Sequence, residues 1–99
     1  MDYLRDYPSE DANELNSIAW SFYESVEDKQ MLNEAVKWAE RSVEIESTFY
    51  NNDTLAALYY KLGNKKAAKA AAKKAIELAK ASGEDYTETK ELLEKIERL

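Results

Sequence analysis

The chain has 99 residues, which fits one small domain with a limited hydrophobic core. Apolar residues make up 44% and charged residues 34%, a balance typical of a folded, soluble protein and not of a disordered one. Cysteine and histidine are absent, which excludes disulfides, thiolate catalysis, the common zinc sites and histidine acid–base chemistry. With only two glycines and one proline, the composition favours helices over sandwiches or barrels.

The formal net charge of −6 is unevenly distributed along the chain. Residues 1–50 carry −8 and residues 51–99 carry +2, a polarity expected to influence both partner choice and self-association. No run is long and apolar enough to span a membrane, and no leading segment resembles a signal peptide. We therefore expect no membrane partner. The absence of cysteine suits the cytoplasm and the bacterial periplasm equally.

Residues 1–8 are predicted to form a loose lead-in before the first helix. Pro8 disfavours a helical conformation just before itself and Ser9 is a good N-cap, so helix 1 is predicted to start at Ser9. The apolar face of helix 1 has helical spacing and consists of Leu15, Ile18, Ala19, Phe22 and Val26.

A polar turn over residues 25–30 precedes helix 2, which is predicted over about residues 31–46. Trp38 is predicted to lie in the core, between helices 2 and 3. Residues 47–52 are predicted to form a linker, with Asn52 or Asp53 capping helix 3. The predicted core face of helix 2 consists of Met31, Leu32, Ala35, Ala39, Ser42, Val43 and Ile45.

Residues 53–79 carry the strongest pattern in the chain and predict two helices joined by a tight turn at Gly63 and Asn64. Gly63 stands where a left-handed residue commonly ends a helix. Helix 4 is predicted over about residues 65–82, is rich in small alanines that let a neighbouring helix approach closely, and ends at Gly83. Helix 5 is predicted to start at Asp85 or Thr87. Its apolar side consists of Leu92, Leu93, Ile96 and Leu99.

The spacing in residues 53–79 resembles the tetratricopeptide repeat, a helix–turn–helix unit of 34 residues. Leu55 and Ala56 match its large–small pair, Tyr59 matches its aromatic position, and Ala68 and Ala75 match the small positions of its second helix. The chain departs from the family pattern at two positions, where Ala72 replaces a usual aromatic and Lys80 replaces a frequent proline.

A looser copy of the same pattern precedes it, with Ile18, Ala19 and Phe22 in the large, small and aromatic positions. Its small position on the second helix is Ala35, which lies 33 residues before the corresponding alanine of the later copy. The distance from Phe22 to Ala35 is 13 residues, whereas the matching distance in the later copy is nine. The first copy therefore carries about four extra residues, either as added helix or as a loop bulge.

The resemblance implies an all-α fold of about five helices, with antiparallel helix pairs stacked as a right-handed superhelix. One domain would cover residues 9–99, with repeat 1 over about 12–46, repeat 2 over about 50–82 and a capping helix over about 85–99. It also implies a scaffold that binds a peptide or protein segment in a concave groove lined by the first helix of each repeat. Carried over to this chain, the groove positions are Asn13, Asn16, Trp20, Tyr23, Asp53, Ala57, Tyr60 and Lys61.

Members of the family that bind chaperone tails hold a terminal carboxylate with lysine and asparagine. The matching positions here offer Asn16, Trp20 and Ala57, so the basic clamp is missing and no such tail binding is predicted. A lysine cluster is interpreted mainly as the solvated outer face of helix 4, and nucleic acid is not an expected partner because the net charge is negative. The cluster consists of Lys61, Lys65, Lys66, Lys69, Lys73, Lys74 and Lys80.

A second hypothesis is a structural tail module of a larger protein, similar to repeats appended to bacterial thioredoxin-like domains, which dimerises the protein or holds another domain. A homo-oligomer is open under this hypothesis. An enzyme is not expected, and neither are a cofactor or a metal. The carboxylates fall on predicted outer faces and turns, and the acidic pairs at residues 27–28 and 84–85 lack the ligand spacing of a calcium loop.

Overall fold

The computed structural model describes residues 8–99, so the predicted lead-in lies, apart from Pro8, outside the described residues. Within residues 8–99 the chain forms five α-helices and no strand, which confirms the all-α prediction and the number of helices. None of these helices combines the length and the apolar character needed to cross a membrane. The helices are α1 (Ala12–Ser25), α2 (Lys29–Ile45), α3 (Phe49–Lys61), α4 (Lys65–Ser82) and α5 (Thr87–Glu97).

The start of α1 corrects the predicted cap. Asp11, and not Ser9, caps the helix, because the Asp11 carboxylate accepts a 3.0 Å hydrogen bond from the backbone N–H of Glu14. Ser9 instead accepts a 3.0 Å hydrogen bond from the backbone N–H of Asp11 and is itself buried. Ser9 therefore orients the capping residue, and the helix begins three residues later than predicted.

The start of α3 also differs from the prediction, since residues 49–52 are helical and not a linker. Thr48 Oγ1 accepts from the backbone N–H of Asn51, and the Asn51 side chain accepts from the backbone N–H of Thr48. This reciprocal capping box satisfies two N–H groups at once and fixes the start of the helix at Phe49. Asn52 and Asp53, the two residues predicted as alternative caps, thereby both lie inside the helix.

The four extra residues of the first copy are helical. Three residues connect α1 to α2, and three connect α3 to α4. α1 continues one residue further past Phe22 than α3 does past Tyr59. α2 begins six residues before Ala35, whereas α4 begins three residues before Ala68. The insertion therefore lengthens the helices, mostly α2. The Asp28 carboxylate caps α2, which starts at Lys29, two residues before the predicted start.

Both glycines adopt the left-handed conformation at a helix end, with φ of +79° at Gly63 and +76° at Gly83. A side chain disfavours this conformation, which is why glycine commonly ends a helix. The predicted bounds of α4, residues 65–82, are confirmed.

Two hydrophobic clusters meet at α3. The first joins α1, α2 and α3 and consists of Ala19, Leu32, Ala35, Val36, Ala39 and Leu58. The second joins α3, α4 and α5 and consists of Ala56, Ala68, Ala71, Ala72 and Ile96. Because α3 supplies residues to both clusters, it is the central helix of the fold.

Three residues predicted on apolar faces are solvent-exposed: Met31 at 44%, Ile45 at 39% and Leu99 at 50%. Met31 and Ile45 lie in the first and last turns of α2, and Leu99 lies beyond the C-terminal end of α5. Trp38 packs against the first cluster, as predicted, but its ring contacts Phe22 of α1 edge-on at 4.8 Å between centroids. The core prediction for Trp38 therefore holds, with α1 among its neighbours.

The helices are arranged around α3 so that a surface is left open beside it. α1 and α5 both contact α3, yet no Cα atom of α1 comes within 8 Å of a Cα atom of α5. α2 and α4 also contact α3 without coming that close to each other. α1 and α5 thus flank α3 with a gap between them.

Candidate functional site

A groove, here called the central groove, follows α3 between α1 and α5. It consists of three adjoining depressions with cavity volumes of about 310, 260 and 350 Å³. Asp53 of α3 and Glu88 of α5 line all three, so they mark the centre of the groove. Each depression lies near the lower end of the size range of ligand sites in proteins.

The α1 wall of the central groove is aromatic. Trp20 and Tyr23 lie three residues apart on α1 and therefore share a helix face. Their rings stack with centroids 4.8 Å apart and planes inclined by 29°. Trp20 is 36% exposed, so much of a large apolar ring faces solvent at the groove. Aromatic rings of this kind bury a large area on binding at low entropic cost.

The opposite wall belongs to α5 and is mostly charged. Glu88, Glu91, Leu92 and Lys95 line it at spacings of three and four residues, as one face of a helix requires. Ala57 lies in the floor and is 3% exposed, so its small side chain gives the groove its depth.

Asp53 is the acidic centre of the floor. Thr89 of α5 donates a 2.7 Å hydrogen bond to Asp53 Oδ1. Burial raises the pKa of Asp53, the Thr89 hydrogen bond opposes that shift, and the nearby Glu88 charge adds to it. In the part of the chain that the structure describes, no lysine or arginine forms an ion pair with Asp53. Its negative charge is therefore uncompensated by a cation.

Asn16 brings an unsatisfied amide to the same surface. Its Oδ1 atom is buried and has no hydrogen-bond partner within residues 8–99. Asn16 lines the second depression together with Trp20, Tyr50 and Asp53. A buried polar atom without a partner carries a desolvation cost, which a hydrogen-bonding guest would remove.

The end of the groove nearest the α3 N-terminus is formed by Tyr50, which is 58% exposed. Its hydroxyl donates to the Glu84 carboxylate, and this bond raises the pKa of Tyr50. Asp85 lies beside it and accepts from both the backbone N–H and the hydroxyl of Thr87, which lowers the pKa of Asp85. This end of the groove therefore carries further negative charge.

The structure brings five of the eight predicted groove residues together in the central groove. They are Asn16, Trp20, Tyr23, Asp53 and Ala57. Tyr60 and Lys61 line a separate depression of about 340 Å³, which they share with Tyr23 and Glu24. Asn13 is exposed on α1 and is not among the residues that line these depressions.

Lys61 is occupied by contacts between helices. Its Nζ atom donates a 2.5 Å hydrogen bond to the carbonyl oxygen of Tyr23 and lies 3.1 Å from the Glu27 carboxylate. The same Nζ atom is 5.3 Å from the centre of the Tyr23 ring. These contacts hold the C-terminal end of α1 against α3, so the lysine has a structural role at its position.

The α5 wall was missed by the sequence-based prediction, which assigned residues 85–99 to a capping helix and included neither Glu88 nor Glu91 among the groove positions. One signal for it was available. If α1 to α4 formed an array of alternating first and second helices, as the resemblance implies, the next helix would take the place of a first helix and lie on the same surface as α1 and α3.

The lysine cluster lies largely apart from the central groove. Lys69 pairs with Glu97 of α5 at 3.5 Å, and Lys74 pairs with Glu77 at 3.2 Å. Lys65, Lys66 and Lys73 are exposed on α4. Within residues 8–99, no group of three or more acidic side chains is placed to hold a metal ion.

Comparison with protein-family models, with curated proteins and with solved structures finds no match to this chain. The resemblance to the tetratricopeptide repeat therefore rests on residue spacing and stays a prediction.

Proposed function

We propose that this chain is a tetratricopeptide-like interaction module, and not an enzyme, which binds a peptide or protein segment in the central groove. In this proposal α1 with α2 and α3 with α4 form stacked repeats, and α5 caps the array while contributing a third wall helix. The observation that carries the proposal is the position of the stacked Trp20 and Tyr23 rings beside an open floor at Asp53 and Ala57.

The chemistry of the groove supports a protein ligand. An exposed tryptophan next to charged and amide groups is the composition found where binding energy concentrates in protein interfaces. The buried Asn16 oxygen offers an acceptor to a backbone or side-chain N–H of a bound segment. The gap between α1 and α5 gives such a segment room to lie along α3.

The test is selection from a combinatorial peptide library followed by titration calorimetry with Trp20→Ala. Loss of this ring should weaken binding by about tenfold or more, because truncated aromatic anchors typically cost at least 2 kcal/mol. Met31→Ala is the matched control, since Met31 is also an exposed apolar side chain but lies on α2, away from the groove. Equal affinity of Trp20→Ala and wild type, with both helical by circular dichroism, would contradict the proposal.

The second candidate is a structural or oligomerisation module, and the segregation of charge favours it. The exposed lysines of α4 could meet the acidic α1–α2 surface of a second copy. Light scattering over a concentration series separates the two candidates. A mass that stays at one chain leaves the groove free for a ligand, whereas a salt-sensitive rise to two chains favours assembly.

A further inference from the structure

We infer that the central groove selects a basic segment, and that it places a lysine or arginine side chain of the partner against Asp53 and Glu88. This inference rests on the proposed peptide-binding function and specifies its ligand. The inference requires one basic residue in the bound segment and specifies none of the residues around it.

The first argument is charge. Four carboxylates line the three depressions, whereas Lys95 is the one cationic side chain among the described residues that line them. None of the three carboxylates at the centre and on the α5 wall has an ion-pair partner within residues 8–99. The carboxylates that line the groove are Asp53, Asp85, Glu88 and Glu91.

The second argument is the burial of Asp53. A carboxylate removed from water without a cation is costly, and the direction of its pKa shift reflects that cost. Glu88 increases the cost because it brings a like charge near. A guest cation would compensate both carboxylates at once, and the gain is larger in a partly desolvated groove than at an open surface.

The third argument is the aromatic wall. A lysine or arginine side chain has an apolar stem and a cationic head, so it can lie along Trp20 while its head reaches Asp53. Lys61 already places its ammonium group near the Tyr23 ring, whereas Trp20 is left for a guest. Acidic segments, by contrast, would meet like charge at Asp53, Glu88 and Glu91.

The test uses three pools of acetylated and amidated heptapeptides, which share one randomised composition and differ in a fixed central residue. That residue is arginine, its neutral isostere citrulline, or glutamate. Binding is followed by the indole N–H resonance of Trp20 in ¹⁵N NMR, with the Trp38 indole as an internal control because Trp38 packs in the core. We expect the arginine pool to bind about tenfold more tightly than the citrulline pool and the glutamate pool more weakly still.

Two variants locate the effect. Asp53→Asn preserves the size of the side chain and an acceptor for Thr89, and it should reduce the arginine preference to about threefold or less. Glu88→Gln should act in the same direction and provides the test if the first variant does not fold. Glu94→Gln is the control, because Glu94 is an exposed acid on α5 that does not line the groove. It should keep the full preference.

The outcomes separate the inference from the function on which it rests. If all three pools shift the Trp20 resonance with equal affinity, the charge selection is wrong and the binding function stands. If no pool shifts it, both fail. If Asp53→Asn and Glu88→Gln retain the full arginine preference, the selecting carboxylates are not these two and the inference is overturned.

Discussion

Thr89 of α5 donates a hydrogen bond of 2.7 Å to the Asp53 carboxylate of α3, which joins the floor of the central groove to its charged wall. The bond uses Oδ1, and Asp53 Oδ2 has no hydrogen-bond partner within residues 8–99. Thr89 is 1% exposed, so the pair lies at the base of the wall. One threonine therefore fixes α5 beside α3 while part of the carboxylate is left for a ligand.

Replacement of Asp53 by asparagine should stabilise the protein at neutral pH. Because burial and Glu88 raise the pKa of Asp53, the folded state holds the proton more tightly than the unfolded chain. The contribution of this carboxyl to the free energy of unfolding therefore falls as pH rises. The fall begins at the ordinary pKa of 3.8 and continues through the raised pKa of the folded state. In urea unfolding, the midpoint of Asp53→Asn should be higher than that of wild type at pH 7. This difference between the midpoints should vanish below pH 3.8.

The control for this prediction is Glu94→Gln, which removes the same charge from an exposed position of α5. It should change the urea midpoint little at either pH. An Asp53→Asn variant that is less stable than wild type at pH 7 would show that the charged acceptor for Thr89 outweighs the cost of burial.

Lys61→Met should destabilise the fold without changing peptide affinity. The substitution keeps the apolar stem but removes the ammonium group that holds the Tyr23 carbonyl and Glu27. The expected loss is about 1–2 kcal/mol, since a charged donor at a helix C-terminus is removed. Lys65→Met, at an exposed lysine of α4, is the control for thermal unfolding. Weakened binding with unchanged stability would instead support the sequence-based assignment of Lys61 to the binding surface.

Asn51→Ala should be among the more damaging single substitutions. The Asn51 amide donates to Ser42 Oγ at 2.9 Å and to the carbonyl of Glu46 at 2.7 Å, and Ser42 in turn donates 2.7 Å to the carbonyl of Ala12. This buried network connects the ends of three helices. Its loss, together with half of the capping box, should cost about 2–3 kcal/mol in denaturant unfolding.

The matched control is Asn33→Ala on the exposed side of α2, which should change stability by less than about 0.5 kcal/mol. Similar losses in the two variants would contradict a special role for the network.

Tyr59→Phe isolates one hydrogen bond between α2 and α3. The Tyr59 hydroxyl donates 2.5 Å to Glu40 Oε2, and burial together with that carboxylate raises the pKa of Tyr59 above the usual 10.0. At pH 7 the variant should lose about 1 kcal/mol. Above pH 10 the unfolded chain loses the Tyr59 proton while the folded state retains it, so wild-type stability falls and the difference should shrink. Urea midpoints at pH 7 and pH 11 test this, and a constant difference would contradict it.

The sequence determined the local elements because their signals are local. Helical spacing of apolar residues, the alanine-rich stretch and the two helix-ending glycines are each read within a few residues, and they gave α4 its correct bounds. Trp20 and Tyr23 were also predicted, because the resemblance to the tetratricopeptide repeat carries groove positions onto both residues, and their rings stack in the structure. The identity of the helix caps was less predictable, because several capping residues stand close together near the starts of α1 and α3.

Only the tertiary structure decided which of these residues meet. Ser9 and Asp11 are both competent caps; in the fold Ser9 is buried and its hydroxyl accepts from the Asp11 N–H, so Asp11 caps α1. Glu88 and Asp53 are 35 residues apart, and no local pattern states that α5 folds back beside α3. Packing of Ile96 into the second cluster places α5 there and turns an apparently outward acidic face into a groove wall. Local hydrogen bonds and periodicity set the helices, whereas burial of distant apolar residues set the site.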